Sequence, residues 1–247
     1  MINGSTCAAD GRVTTVVKAS PAHVEGIGRV VREVWHQDIL PDACEGLIAG
    51  EPSTIWVVRA EGAVIGFASG FRTVDAFGHR RGEIDLLAVT PSRQGEGLGP
   101  RLIAGLVEEA TSWGVDVLRA LIRVENNPSQ KAFGRVGFTT DEQVHKLLLW
   151  SPRPGVESPR CPETVSLIPV DTITYRGLWI EGLASLGHSG QRAVVAAARA
   201  RIAGENRLNT GALIPVHRSG TLAPDLMEEA KVQGEYYWFR KGLNQSR

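Results

Sequence analysis

The sequence is poor in cysteine. Its three cysteines, Cys7, Cys44 and Cys161, lie far apart and fit no metal-binding or redox spacing. An odd number of cysteines also argues against a disulfide framework, so we expect free thiols in a reducing compartment. The histidines His36, His79, His188 and His217 are isolated in the same way, so the sequence predicts no metal site.

Long apolar runs and an excess of either charge sign are also missing. No stretch approaches the roughly 18 apolar residues of a membrane span, and Met1 is followed by polar residues rather than by a secretion signal. The 27 basic and 27 acidic side chains cancel, so no nucleic-acid partner is expected. We therefore expect a cytoplasmic protein that binds neither membrane nor nucleic acid.

Glycine, in contrast, is concentrated in one short segment between a predicted strand and a predicted helix. Residues 84–89 form an apolar run that predicts a strand, and the apolar spacing of residues 102–113 predicts a helix. The glycine-rich segment 94–99 lies between them. A turn of this kind leaves several backbone N–H groups unpaired at a helix N-terminus, which is a ready site for a phosphate or pyrophosphate.

The spacing of the glycines decides between families of anion-binding loops. A P-loop requires Gly-Lys after four intervening residues, and no lysine follows Gly99. Gly95, Gly97 and Gly99 form G-x-G-x-G, which is not the dinucleotide fingerprint G-x-G-x-x-G. Gln94, Gly97 and Gly99 do fit Q/R-x-x-G-x-G/A. This segment resembles the acyl-CoA-binding motif of the GNAT superfamily of N-acetyltransferases, which implies that the loop holds the pyrophosphate of coenzyme A.

A second segment supports the resemblance. A predicted strand at 117–124 is followed by Asn126, a short helix and the pair Gly137-Phe138, which is similar to the order found in the family. The resemblance implies that Asn126 contacts the pantetheine arm. Phe133 stands where many members have a tyrosine that protonates the departing thiolate, so the resemblance leaves the proton donor open.

The resemblance also implies a backbone N–H on residues 87–89 that binds the thioester carbonyl. The residues expected to hold the donor, acetyl-CoA or another acyl-CoA, are Leu87, Ala88, Val89, Gln94, Gly95, Glu96, Gly97, Leu98, Gly99, Pro100, Asn126, Ser129 and Phe133.

Carboxylates near the thioester are the natural bases for an attacking amine. Glu83 and Asp85 lie two residues apart on one predicted strand and therefore share a face. Asp85 is the first choice because burial in this apolar strand would raise its pKa. Alternatively, one of the two carboxylates could pair with the neighbouring Arg80 or Arg81. Glu125 is the third candidate, or a solvated helix cap.

The predicted fold is α/β, with a GNAT-like mixed central sheet flanked by helices. Residues 13–150 predict the order β-α-α-β-β-β-α-β-α-β, so we assign a catalytic domain to 1–150 and a proline-rich linker to 151–163. Residues 164–247 predict a smaller α/β region. It is either a degenerate half-repeat, with Gly190 aligned to Gly99 and His188 to Gly97, or an unrelated extension that completes a core or forms a homodimer.

The leading function is transfer of an acetyl or acyl group from an acyl-CoA thioester to a primary amine of a small molecule. Two alternatives stay open. An acyl carrier protein or an aminoacyl-tRNA could be the donor, because a larger donor needs the larger footprint that the C-terminal region offers. The chain could instead be a non-catalytic acyl-CoA-binding module, as Phe133 would allow.

Overall fold

The computed structural model describes residues 5–7, 13–50, 53–155, 162–205 and 207–243. Within these residues Cys44 is a buried free thiol, as expected. Cys161 and the side chain of Cys7 lie outside the described part. None of the helices in the described ranges is long and apolar enough to cross a membrane.

The described residues form eleven strands and six α-helices. The strands are β1 (Ser5–Cys7), β2 (Val13–Lys18), β3 (Ser53–Ala60), β4 (Ala63–Val74), β5 (Arg80–Val89), β6 (Val117–Arg123), β7 (Thr139–Trp150), β8 (Ser166–Asp171), β9 (Arg176–Glu181), β10 (Asn209–Pro215) and β11 (Lys231–Gly242). The helices are α1 (Val24–Trp35), α2 (Pro41–Ala49), α3 (Leu98–Ser112), α4 (Asn127–Arg135), α5 (His188–Gly204) and α6 (Pro224–Glu229). The predicted α/β class and the predicted element order of residues 13–150 are confirmed.

Helix α3 begins at Leu98, earlier than the apolar spacing predicts. Pro100 lies in its first turn, where the missing N–H costs nothing because the first N–H groups of a helix have no intrahelical partner. The apolar face of α3 then packs on the sheet through Leu102, Ile103 and Leu106, which are all but fully buried.

All strands belong to one mixed sheet with the order β1-β2-β3-β4-β5-β6-β11-β7-β10-β9-β8. Neighbouring strands are antiparallel, except that β5 pairs with β6, and β9 with β10, in parallel. Strand β11 therefore lies between β6 and β7, and β7 lies between β11 and β10. The N-terminal and C-terminal parts of the chain thus exchange their last strands within one sheet.

The strands from β4 toward the centre of the sheet and the strands from β8 toward the centre follow the same pattern of antiparallel and parallel pairs. An antiparallel pair (β4–β5 or β8–β9) is followed by a parallel pair joined through a long helix, α3 or α5. The central strands β7 and β11 complete both series. This is the order that a half-repeat implies, and both the half-repeat and the boundaries at 150 and 164 stay predictions.

Helices α3, α4 and α5 cover one face of the sheet, and α1 and α2 cover β3–β5 on the other. The turn between β8 and β9 reaches this second face. Ile173 in that turn is fully buried beside Ile27 and Phe67, and its carbonyl oxygen accepts a hydrogen bond of 2.9 Å from the Leu40 N–H. The C-terminal part therefore completes the core of the N-terminal part.

Candidate functional site

The glycine-rich loop joins β5 to α3 in the conformation that an anion site requires. Gly95 and Gly97 have positive φ values, +85° and +74°, which favour glycine, and Gly97 is the N-cap of α3. No atom of the described chain outside the adjacent residues lies within 4 Å of a Cβ built on either glycine. The loop therefore presents open backbone at the positive end of a 15-residue helix.

Two side-chain contacts hold this loop in place. The Gln94 Nε2 group donates a 3.0 Å hydrogen bond to the Val89 carbonyl oxygen, which ties the loop to the end of β5. Arg93 donates to both carboxylate oxygens of Glu96, at 2.6 and 2.8 Å. Gln94 and Glu96, two of the predicted donor-binding residues, thus shape the loop from within.

Strands β5 and β6 separate below the loop. Their parallel pairing covers only Arg81–Ile84 and Val117–Ala120, although both strands continue beyond these residues. The Thr90 N–H donates to Ile65 on the β4 side, so by strand alternation Ala88 also pairs toward β4. The backbone groups of Leu87 and Val89 then point into the opening between β5 and β6.

A β-bulge lies where the two strands part. The register of β4 against β5 shifts between Ala68 and Gly70, so that Asp85 and Leu86 together oppose the single residue Ser69. A bulge re-aims side chains in this way and is common beside functional sites. Here it leaves Asp85 at the point where β5 leaves β6, on the face opposite α3.

Asp85 is a half-buried residue with one carboxylate oxygen that has no partner in the described part of the chain. Its Oδ2 atom is buried and has no hydrogen-bond partner among the described residues. Burial raises the pKa of Asp85 to about 7, and the nearby charge of Glu83 acts in the same direction. A hydrogen bond from the Thr172 hydroxyl opposes the rise. The rise that the sequence predicts for this group is therefore present.

Glu83 shares the face of Asp85 but is held in an ion-pair network. Arg119 Nε lies 2.8 Å from both Glu83 oxygens, and the Thr73 hydroxyl donates to Oε1 at 2.6 Å. Arg81, a partner expected from the sequence, is farther away at 3.9 Å. Burial raises the pKa of Glu83, and Arg119 opposes this. Because its oxygens are engaged, Glu83 is poorly placed to accept another proton.

Residues 125–129 lie at the end of β6. The side chain of Glu125 is 67% exposed and pairs with Arg123 at 3.3 Å, as a solvated residue would. Asn126 caps α4, with its Oδ1 atom accepting a 3.1 Å hydrogen bond from the Ser129 N–H. The side-chain amide of Asn126 remains the candidate donor to a pantetheine arm, while Glu125 is too exposed to share the environment of Asp85.

Phe133 lies in the apolar core and not at an open surface. Its ring is 3% exposed and packs edge-on against Phe138 at 5.1 Å and beside Phe239 at 6.4 Å. A tyrosine hydroxyl has no counterpart here. The core position gives Phe133 a packing role beside the predicted donor site.

A cavity of about 290 Å³ opens beside Asp85 on the face opposite α3. Six strands, β5 to β9 and β11, and the β8–β9 turn line it. Its lining residues are Glu83, Ile84, Asp85, Leu121, Leu147, Leu149, Val170, Thr172, Thr174, Tyr175, Trp179, Gln233, Tyr236 and Trp238. Both carboxylates predicted on β5 therefore reach the same cavity.

Comparison with known proteins identifies the region around this cavity. Residues 24–138 match the Acetyltransferase (GNAT) family. The chain contains a GNAT acetyltransferase domain. The matched residues include the loop 94–99, Asp85 and the segment from Asn126 to Phe138, so the predicted resemblance is confirmed.

Two curated relatives match the GNAT domain. L-amino acid N-acyltransferase MnaT of Escherichia coli K12 is 33% identical over 102 residues, which is 40% of this chain and 57% of that protein. L-methionine sulfoximine/L-methionine sulfone acetyltransferase of Salmonella typhimurium LT2 is 34% identical over 95 residues, 38% of this chain and 54% of that protein. The chain spans just over half the length of these relatives.

A solved structure extends the likeness beyond the GNAT domain. The GCN5-related glucosamine N-acetyltransferase region of a fungal multi-domain GH3 β-N-acetylglucosaminidase aligns with 97% of this chain and 38% of that chain, with a TM-score of 0.59. At 13% identity the match shows a shared fold alone.

The C-terminal part lacks the loop of the GNAT domain. Gly187 is the N-cap of α5, so it occupies the position of Gly97, and the predicted alignment of His188 with Gly97 is shifted by one residue. Gly187 has an ordinary φ of −70°. Only Leu186 and Gly187 separate the preceding 3-10 turn from α5, against four residues in the GNAT domain. The second loop therefore has fewer backbone donors to offer an anion.

The residues that the C-terminal part brings to the cavity were not predicted from the sequence. Thr172 and Thr174 belong to the β8–β9 turn, and Tyr236 and Trp238 belong to β11. The aromatic cluster at 236–238 is visible in the sequence, but nothing in its spacing shows that it lines a cavity. Its position beside Asp85 depends on β11 entering the sheet next to β6.

Proposed function

We propose that the protein is an N-acyltransferase that moves an acetyl or acyl group from an acyl-CoA thioester to a primary amine of a small molecule. The observation that carries the proposal is the buried, unpartnered Oδ2 atom of Asp85, at the cavity and at the point where β5 and β6 part. The GNAT match and the names of the two relatives support it.

The co-substrate is acetyl-CoA or another acyl-CoA. The backbone of the loop 94–99 and the first turn of α3 bind its pyrophosphate, and the opening between β5 and β6 takes the pantetheine arm. The Leu87 and Val89 N–H groups bind the thioester carbonyl and stabilise the negative charge that develops on its oxygen. Asn126 orients the pantetheine arm.

Asp85 acts as general base. Its Oδ2 atom accepts one proton from the amine nitrogen as the new N–C bond forms and the C–S bond breaks. The departing thiolate takes a proton from solvent, because Phe133 has none to give. A carboxylate with a pKa of about 7 is matched to proton transfer near neutral pH.

The fold weakens the main argument for a carrier-bound donor, which was the size of the C-terminal region. The C-terminal part was a reason to expect a large donor, yet it contributes β11 to the sheet and Thr172 to the cavity. Its presence is explained by the amine site without a carrier protein or tRNA.

Release of free thiol from acetyl-CoA in the presence of a panel of amines tests the proposal. We expect amine-dependent thiol release that falls by about 10²–10⁴-fold in Asp85→Asn, the usual range for a lost general base. Binding of coenzyme A, measured by calorimetry, should be retained. The exposed Glu45→Gln variant on α2 is the control and should keep the rate.

Two results would contradict the proposal. Coenzyme A that binds normally without thiol release from acetyl-CoA for any amine would favour the non-catalytic module. An Asp85→Asn variant as fast as the parent protein would remove Asp85 from the mechanism.

A further inference from the structure

We propose that the acceptor is a small primary amine with an apolar, preferably aromatic, substituent and no carboxylate. The inference rests on the proposed function and specifies its substrate class. It separates this chain from the two curated relatives, whose names give amino acids or their derivatives as substrates.

The charges that line the cavity have one sign. Its ionisable carboxylates are Glu83 and Asp85, and among the described lining residues there is no lysine, arginine or histidine. An ammonium group is attracted by the Asp85 carboxylate, whose Oδ2 atom has no partner among the described residues. A substrate carboxylate, in contrast, would be desolvated beside Asp85 with no cation in the described lining to pair with it.

Two guanidinium groups, those of Arg119 and Arg123, lie behind the aromatic walls and are already bound. Arg119 lies over the Trp238 ring at 4.3 Å and pairs with Glu83 at 2.8 Å and with Glu181 at 2.5 Å. Arg123 lies 5.2 Å from the centre of the Tyr236 ring. It donates to the Gln233 carbonyl oxygen at 3.0 Å and to Glu125 at 3.3 Å. Neither arginine lines the cavity.

The remaining walls suit an apolar group that carries an amine. Trp179, Trp238 and Tyr236 give aromatic surfaces, which pack well against another ring and also attract cations. Leu121, Leu147 and Leu149 provide an uncharged aliphatic surface beside the aromatic one. A volume of about 290 Å³ is at the small end of ligand pockets, which fits a monoamine and not a peptide.

Matched pairs of ligands test the inference. Phenethylamine is compared with L-phenylalanine, and 3-(methylthio)propylamine with L-methionine, so that each pair differs by the carboxylate. L-phenylalanine amide keeps the size of the amino acid and removes its negative charge. Calorimetry measures binding to the full chain in the presence of coenzyme A, and thiol release from acetyl-CoA measures kcat/KM.

We expect each amine to bind, and to react, about 100-fold or more better than its amino acid, since like-charge contacts in a buried site are strongly unfavourable. The amide should lie close to the amine. If the amines bind with this preference but no thiol is released from acetyl-CoA, the inference about the cavity is supported and the proposed function is contradicted.

Equal or better binding of the amino acids would overturn the inference. The variant Arg123→Gln then locates the carboxylate. If it abolishes the preference for amino acids, the carboxylate binds Arg123 at the cavity rim. The variant Thr174→Arg makes the converse test, because it places a cation in the lining. If the amines are preferred because the cavity has no counter-ion for a carboxylate, the ratio of amine to amino-acid affinity should fall at least tenfold in this variant.

Discussion

At the scale of single residues, the proposed site depends on Asp85, a carboxylate whose ionised form is disfavoured by its surroundings. Burial raises the pKa of Asp85, and the neighbouring charge of Glu83 adds to this. Glu83 itself is compensated by Arg119 and Thr73, whereas the Oδ2 atom of Asp85 has no partner among the described residues. Two carboxylates on one strand thus lie in different environments, which supports the proposal that Asp85 acts as the base and Glu83 does not.

Thr172 adjusts this carboxylate from the C-terminal part of the chain. Its hydroxyl donates to Asp85 and accepts a 3.1 Å hydrogen bond from the Tyr175 N–H. We expect Thr172→Val to raise the pKa of Asp85 further, because the hydrogen bond stabilises the ionised form. The acid limb of the pH–rate profile should move to higher pH, while Thr172→Ser should keep the parent profile. A limb that does not move in Thr172→Val would show that Thr172 only packs.

The raised pKa of Asp85 also makes the stability of the fold depend on pH. A group whose pKa is higher in the folded state stabilises the fold when protonated, and this contribution is lost as the pH rises through the folded value of about 7. We expect Asp85→Asn to unfold at a higher Tm than the parent protein at pH 8.5. About 1 kcal/mol corresponds to about 2–4 °C in a chain of this length. The advantage should shrink at pH 5.5, and a variant that is less stable at both pH values would contradict the pKa assignment.

Local sequence was enough to find Asp85 and the loop, because both lie within one strand–turn–helix unit. It was not enough for Thr172, Tyr236 and Trp238, which reach the cavity through long-range strand pairing. Phe133 was expected at the donor site from its place in the motif. Its contacts with Phe138 and Phe239 could be known only once β11 was placed beside β6.

At the scale of elements, Gly97 and Gly187 are the N-caps of two equivalent helices, α3 and α5. Comparing substitutions at the two positions distinguishes the effect of backbone strain from that of helix capping. Gly97 has a φ of +74° and Gly187 a φ of −70°, and a Cβ would meet no atom within 4 Å at either position in the described chain. We expect Gly97→Ala to cost about 1–2 kcal/mol, the cost of a left-handed conformation for other residues. It should also weaken coenzyme A binding.

Gly187→Ala is the matched control for that change. It shares the loss of an N-cap glycine but not the positive φ, so the difference between the two variants isolates the backbone conformation. Thermal unfolding and calorimetry with coenzyme A make the measurement. Equal losses of affinity in both variants would contradict a special role for the 94–99 loop.

The elements also show where sequence patterns fail for a physical reason. Strand β8 was not predicted, and Pro169 interrupts its pattern. Proline is tolerated there because β8 is an edge strand that pairs with β9 alone. Helix α3 can begin at Leu98, ahead of Pro100, because the first N–H groups of a helix have no intrahelical partner and a proline without an N–H is tolerated there. The apolar spacing does not reveal this.

At the scale of the whole molecule, the exchange of β7 and β11 makes the two parts of the chain interdependent. Within 1–150, β7 would have no partner, since it pairs with β10 and β11. The fragment would also expose the edge of β6 and lose Ile173 from its core. We expect 1–150 expressed alone to aggregate, as unpaired strand edges favour.

Co-expression of 1–155 with 156–247 is the control for that truncation. It breaks the chain at the linker and keeps every strand, so the two fragments should purify together. A soluble, monomeric 1–150 with the near-ultraviolet circular dichroism of a packed core would contradict the interdependence. The order of elements was predictable because it follows local patterns, but this exchange was not, because β11 joins strands distant in sequence.

The pH dependence of thiol release tests the central claim most directly. kcat/KM for a reactive amine is measured from pH 5.5 to 9.5 with the parent protein and with Asp85→Asn. We predict an acid limb with a midpoint near pH 7 in the parent, where Asp85 becomes protonated, and no such limb in the slower variant. Ionisation of the amine affects both proteins alike. The same limb in both proteins, or equal rates, would contradict the assignment of Asp85 as the base.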